Sequence, residues 1–113
     1  EAQEMNFDDY QTQDAQTAIY PEYRSLDYLI PALAAEAGEI AGKWAKHLRD
    51  DDQYAPTVAL NRALATEAGD VLWVLAMLCS ELGWTLSDVA SANLKKLADR
   101  KQRGKLSGSG DHR

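Results

Sequence analysis

Four acidic residues in two matching groups are the part of this sequence best suited to chemistry. Glu36-Ala-Gly-Glu39 and Glu67-Ala-Gly-Asp70 repeat one four-residue phrase, and an apolar run follows each copy. Residues three apart lie on one side of a helix, so each phrase places two carboxylates close enough to share a ligand. Oxygen donors select a hard divalent cation, which makes Mg²⁺ the leading candidate and Mn²⁺ the usual substitute.

Other metals fit these two phrases less well. A di-iron bundle uses Glu-x-x-His pairs, and neither phrase supplies the histidine. Zinc sites use clusters of Cys and His, whereas this chain has one Cys and two His residues. The carboxylates therefore predict a magnesium-type site.

The first acidic phrase lies in the second of two predicted helices. Helix propensity favours a first helix from Asn6, as its N-cap, to about Tyr20, where Pro21 ends it. A second helix is predicted from about Ser25 to Leu48, followed by a polar loop over residues 49–53. Glu36 and Glu39 lie at the edge of the apolar stripe of this second helix.

A third and a fourth helix are marked by clear start and stop signals. Thr57 is a plausible N-cap for a helix that runs to about Leu82, where Gly83 supplies the stop. Thr85 opens a capping box, with Asp88 in place of Glu, for a fourth helix that runs to about Arg103. The inward face of this fourth helix is predicted to be formed by four apolar residues, Leu86, Val89, Ala90 and Leu97.

Glu67 falls in the middle of the apolar stripe of the third helix, and Asp70 lies on its flank. An ionised carboxylate in apolar surroundings costs several kcal/mol unless it is paired, protonated or bound to a metal. Beyond Val71 the same helix is apolar nearly all round, which is more than a small monomer can bury. We therefore expect a subunit interface there. Cys79, in the same run, is expected to be a buried thiol.

Length and charge limit the possible architectures and partners. With 113 residues, the chain is expected to form one domain over residues 6–103, with a flexible tail over 104–113. Residues 1–5 are interpreted as an N-terminal extension or an expression remnant. The net charge of -6 argues against a duplex nucleic-acid partner. The apolar run 71–79 is too short to span a membrane and no signal peptide opens the chain, so a cytoplasmic location is expected.

Together, the two acidic phrases resemble a known family signature. The pattern E-x-x-E, a spacer and E-x-x-D is typical of MazG-like all-α nucleoside triphosphate pyrophosphohydrolases, within a superfamily that includes dimeric dUTPases. Here 27 residues separate Glu39 from Glu67. The segments 42–50 and 93–104 also resemble MazG-like members. This resemblance implies an all-α, four-helix, MazG-like bundle that is completed by dimerisation, as a homodimer or homotetramer.

The resemblance also implies a reaction and a set of roles. Members hydrolyse (deoxy)nucleoside triphosphates between the α and β phosphates, which yields the monophosphate and pyrophosphate. By analogy Glu36 or Glu39 activates the water, all four acids bind the metal, and Glu67 with Asp70 mainly holds it. The residues expected to contact substrate are Lys43, Trp44, Asn93, Lys96 and Arg100, although core packing is the stronger reading for Trp44.

Two other functions stay open at this point. One is hydrolysis of dUTP or of a nucleoside diphosphate by the same type of site, which the superfamily resemblance allows. The other is a non-catalytic helical module in which the acids bind a structural metal or the basic residues of a partner.

Overall fold

The computed structural model describes residues 4–51 and 54–113, and every regular element within them is helical. The prediction of an all-α chain with four helices is therefore confirmed. In chain order the helices are α1 (Phe7–Asp14), α2 (Ser25–Asp51), α3 (Val58–Glu81) and α4 (Leu86–Gln102), and two short 3-10 turns, Ala15–Thr17 and Glu22–Arg24, lie between α1 and α2.

The predicted helix caps are present. Asn6 Oδ1 accepts a hydrogen bond from the Asp9 amide at 2.8 Å, and Thr57 and Thr85 cap α3 and α4 in the same way, each at 3.0 Å. At the end of α3, Gly83 adopts a φ of +84°, which a residue with a side chain rarely does. The Trp84 amide then donates to the Cys79 carbonyl at 2.8 Å and closes the helix.

Two predicted helix ends are wrong. α1 stops at Asp14 instead of continuing to about residue 20, because the chain tightens into a 3-10 turn and Ala18 is extended (φ -78°, ψ 116°). α2 continues to Asp51, three residues past the predicted end. A hydrogen bond of 2.9 Å between His47 Nδ1 and Asp51 Oδ2 links successive turns of this extension. Residues 52 and 53 of the predicted loop lie outside the described part of the chain.

The buried apolar core lies mainly on the second half of α3. Its members are Leu29, Val74, Ala76, Met77, Cys79 and Leu86. Gln11 on α1 joins three helices here, since its Nε2 donates to Ser80 Oγ at 2.8 Å and its Oε1 accepts from the Leu86 amide at 2.8 Å. The prediction that Cys79 is buried is confirmed.

Much of the apolar surface lies outside this core. The predicted inward face of α4 is wrong for two residues, because Val89 and Leu97 are 42% and 40% exposed, and Leu94 beside them is 67% exposed. The radius of gyration is 17.2 Å, whereas a compact chain of this length has about 13 Å. A single copy of the chain therefore leaves α4 with little apolar cover.

Among the described residues, α3 is the one helix that is long and apolar enough to cross a membrane by length and composition alone. Only 17% of its most apolar stretch is buried. A core helix can pass the same test, and α3 carries Glu67 and Asp70, two acids that are costly to place in hydrocarbon. The expectation of no membrane partner stays a prediction.

Candidate functional site

Three of the four predicted acids come together where α2 packs on α3. Glu36 on α2 and Glu67 and Asp70 on α3 each offer a carboxylate oxygen, and these atoms lie within 4.8 Å of one another. We refer to Glu36, Glu67 and Asp70 as the carboxylate cluster. Glu39 is exposed and stands outside this group, although it is close enough to influence the titration of Glu36.

Among the described residues, the acids of the cluster outnumber the cations paired with them. Partial burial raises the pKa of Glu36, and repulsion from Asp70, Glu67 and Glu39 raises it further. Lys43 Nζ lies 3.6 Å from Glu67 Oε1, whose side chain is only 17% exposed, and within the described part of the chain Lys43 is the cation paired with a cluster acid. A divalent cation would relieve this repulsion, and an all-oxygen donor set is the one that Mg²⁺ or Mn²⁺ prefers. The residues present therefore fit such a metal.

Helix α1 adds two residues beside the cluster that the sequence patterns did not single out. Burial raises the pKa of Tyr10 to about 12, with further contributions from Asp14 and from Asp70 of the cluster. Burial also raises the pKa of Asp14, whose Oδ2 is buried and has no hydrogen-bond partner among the described residues. The signal available in the sequence was that Asp14 follows Tyr10 by four residues, which places both on one side of the predicted first helix.

An aromatic surface lies near the α2 side of the cluster. A cavity of about 350 Å³ extends from Tyr28 and Pro31 to Glu36. The ring of Tyr28 stacks on Tyr20 with centroids 5.4 Å apart, and Trp73 meets Tyr20 edge to face. This cavity is large enough for a flat ring close to a carboxylate.

Trp44, predicted as a packing or stacking residue, packs within the chain. Its ring lies 5.1 Å from that of His47 and 6.0 Å from that of Tyr54, measured between centroids. His47 is only 3% exposed. Its Nε2 has no hydrogen-bond partner within the described part of the chain. Lys43 and His47 both line a neighbouring cavity of about 370 Å³ between α2 and α3.

The predicted substrate residues of α4 lie apart from the carboxylate cluster. Asn93 and Lys96 line a different cavity, of about 380 Å³, together with Trp84. The described residues that line it include none of the three cluster acids. Arg100 is 5% exposed, because the C-terminal residues cover it. Within one chain, α2 and α3 thus hold the acids, and α4 holds three of the five predicted substrate residues.

The last ten residues lie against α4. Asp111 Oδ1 accepts from Lys96 Nζ at 2.8 Å and from Arg100 Nη2 at 3.0 Å, and the Asp111 carbonyl accepts from the same Arg100 nitrogen at 2.7 Å. The flexibility predicted for residues 104–113 stays a prediction, but their contacts are specific.

Comparison with known proteins identifies the family to which the chain belongs. The sequence profile of the MazG nucleotide pyrophosphohydrolase domain matches residues 24–104. The chain is 44% identical to the Gene 37 protein of Mycobacterium phage L5 over 115 residues, which cover 96% of this chain and all of that protein. No solved structure gives a significant match. The profile match includes both acidic phrases and all of α2, α3 and α4, and the chain belongs to the MazG nucleotide pyrophosphohydrolase family.

Proposed function

We propose that this protein hydrolyses (deoxy)nucleoside triphosphates to the monophosphate and pyrophosphate in a Mg²⁺-dependent reaction, with Mn²⁺ as a substitute. The observation that carries the proposal is the convergence of Glu36, Glu67 and Asp70 within 4.8 Å in a chain of the MazG family. Three clustered carboxylates place excess negative charge at one point. Burial, together with repulsion between these carboxylates, raises the pKa of Glu36. A metal–polyphosphate substrate matches that charge pattern.

The cluster acids are assigned to the metal. Glu36, Glu67 and Asp70 would hold a divalent cation, which would supply positive charge to the substrate phosphates and would lower the pKa of a bound water. Lys43 Nζ lies 3.6 Å from Glu67 Oε1 and reduces the repulsion between the cluster carboxylates while no metal is bound.

Glu39 is assigned the role of general base. It is exposed, lies outside the ligand group, and is close enough to raise the pKa of Glu36. A carboxylate in that position can accept the proton from water as the oxygen attacks the α-phosphorus. The bond between the α-phosphorus and the bridging oxygen then breaks, and pyrophosphate leaves. Glu36 is the alternative base, since its raised pKa also suits a proton acceptor.

A second copy of the chain is assigned the completion of the site. Val89, Leu94 and Leu97 expose apolar surface on α4, and the radius of gyration of 17.2 Å exceeds that of a compact chain. Asn93 and Lys96 lie in a cavity apart from the acids. A homodimer, alone or within a homotetramer, would cover the apolar surface and would bring α4 of one copy towards the acids of the other.

The test is a product analysis with purified protein. Each of the (deoxy)nucleoside triphosphates is incubated with the protein and Mg²⁺, and the products are separated by ion-exchange chromatography. We expect monophosphate and pyrophosphate in equal amounts, and none in the presence of excess EDTA. Release of orthophosphate would instead indicate cleavage at a terminal phosphate, and turnover of dUTP alone or of diphosphates would assign a narrower substrate class. Metal binding without turnover of any nucleotide would favour the interaction module.

A further inference from the structure

The C-terminal part of the chain differs sharply in charge from the rest. Residues 95–113 contain seven of the twelve Lys and Arg residues but only two of the eighteen Asp and Glu residues. The remainder of the chain is therefore strongly acidic, whereas α4 and the tail form a basic segment. Such a segment attracts anions by its field before any specific contact forms.

Within this basic segment, two cations converge on one internal carboxylate oxygen. Lys96 Nζ and Arg100 Nη2 lie 2.8 and 3.0 Å from Asp111 Oδ1. These two hydrogen bonds hold the pKa of Asp111 below its usual range. The Asp111 side chain is 69% exposed, whereas that of Arg100 is 6% exposed. Arg100 is thus a buried cation whose anionic partner lies at the surface.

The backbone of the tail is shaped to deliver this carboxylate. Gly104 ends α4 with a φ of +68°, and the Lys105 amide donates to the Arg100 carbonyl at 2.7 Å. Gly110, directly before Asp111, has a φ of +85°. The Arg113 side chain then donates to the Gly110 carbonyl at 2.6 Å, which closes the loop.

We propose that Lys96 and Arg100 form a binding site for a condensed phosphate chain, and that Asp111 occupies this site as an internal anion until the phosphate displaces it. The inference rests on the proposed function, since it assigns the pyrophosphate part of the nucleotide to this site. The tail is then a latch: it is held on α4 in the free protein and released when substrate or pyrophosphate binds.

The charge balance favours the exchange. Two cations share a single carboxylate, so the occupied site keeps one uncompensated positive charge. Pyrophosphate carries several negative charges and several acceptor oxygens, so it can satisfy Lys96 and Arg100 at once. The exposed Asp111 returns to water at little cost when it leaves, because its carboxylate is already largely solvated.

The experiment measures binding of inorganic pyrophosphate to the full chain by calorimetry in EDTA, so that the carboxylate cluster holds no metal. We expect Asp111→Asn to bind pyrophosphate roughly tenfold more tightly than the unmodified chain, because a charge-assisted competitor has been removed. Asp99→Asn is the matched control, since Asp99 pairs with Arg103, the residue that follows α4, whereas Lys96 pairs with Asp111. Adding Lys96→Ala to Asp111→Asn should abolish the gain.

A second measurement needs no variant and covers the case in which Asp111→Asn does not fold. Trypsin cleavage after Lys105 is followed by mass spectrometry in the unmodified chain, with pyrophosphate or with chloride at equal ionic strength. Released tail should be cut several times faster with pyrophosphate. Unchanged or slower cleavage, or unchanged or weaker pyrophosphate binding by a folded Asp111→Asn, would overturn the latch.

These outcomes are separate from the test of the proposed function. A protein that hydrolyses nucleotides but whose Asp111→Asn variant binds pyrophosphate like the control lacks the latch and keeps the enzyme activity. A protein without hydrolysis but with tighter pyrophosphate binding in Asp111→Asn keeps the anion site and loses the proposed reaction.

Discussion

The α2–α3 pair and the α4–tail segment are opposites in charge and in the way their charges are satisfied. On α2 and α3, three acids lie together and Lys43 is the cation paired with them among the described residues, so negative charge is in excess there. On α4 and the tail, Lys96 and Arg100 share one carboxylate, so that region is short of negative charge. The metal–polyphosphate substrate proposed above would supply what each region lacks. Under that proposal, neither region is a complete site alone.

The largest effect is expected from removing an acid of the cluster. Asp70→Asn should lower kcat/KM by at least a thousandfold, because the metal loses a ligand while two acids remain in place. Mg²⁺ affinity, measured by calorimetry, should fall with it. Asp8→Asn makes the same chemical change at an exposed position of α1 and should leave both values unaltered. Full activity in Asp70→Asn would remove the cluster from the reaction.

Glu39 provides a contrast within the first acidic phrase. Glu39→Gln should lower kcat by about a hundredfold, the usual size of a general-base effect, while Mg²⁺ affinity changes little. Glu36→Gln should weaken Mg²⁺ binding as well, because Glu36 belongs to the cluster. If both variants lose metal affinity equally, Glu39 is a ligand and the proton acceptor must be sought elsewhere.

A charge on the apolar side of α4 tests whether a second copy joins the two regions. Leu94 is 67% exposed in the single chain, so Leu94→Glu should cost the isolated fold less than about 0.5 kcal/mol. In a dimer it should bury a carboxylate, and sedimentation should show a shift to monomer together with a loss of activity of roughly tenfold or more. Lys95→Glu adds the same side chain at the adjacent exposed position. Equal behaviour of the two variants would place the interface away from Leu94.

The smallest effect is expected from Tyr10 on α1, whose pKa is influenced by Asp70 of the carboxylate cluster. Its pKa is raised from 10 to about 12 in the folded chain, so its neutral form is favoured there. Folding stability should therefore fall as the pH rises from about 10 to 12, and Tyr10→Phe should remove part of that fall. Urea unfolding at pH 9 and 11 measures it, with Tyr23→Phe, at an 85% exposed residue, as the control. Identical pH dependence in both variants would contradict the placement of Tyr10.

Local chemistry explains which features could be predicted from sequence. The caps at Asn6, Thr57 and Thr85 could be predicted because each side chain accepts a hydrogen bond from the backbone amide three residues later. The closeness of Glu67 and Asp70 was predictable for a similar reason, since residues three apart share a helix face.

Features that depend on packing between distant elements could not be predicted from the sequence. Rotation of α2 against α3 decides that Glu36 joins the cluster and Glu39 does not, and no local pattern fixes that rotation. The approach of Tyr10 to Asp70 also depends on how α1 docks on α3. The contact of Asp111 with Arg100 requires the reversal at Gly104. The end of α2 was misjudged because a run of polar residues reads as a loop, although His47 and Asp51 stabilise another turn.

The low burial of α3 also bears on how the protein acquires its stability. Only 17% of the most apolar stretch of this helix is covered in one chain. If a second chain provides the missing cover, folding and association become a single equilibrium, and the midpoint of thermal unfolding rises with protein concentration. In a cell the protein would then be least stable while its concentration is low. The amount of folded protein would rise more steeply than the amount synthesised.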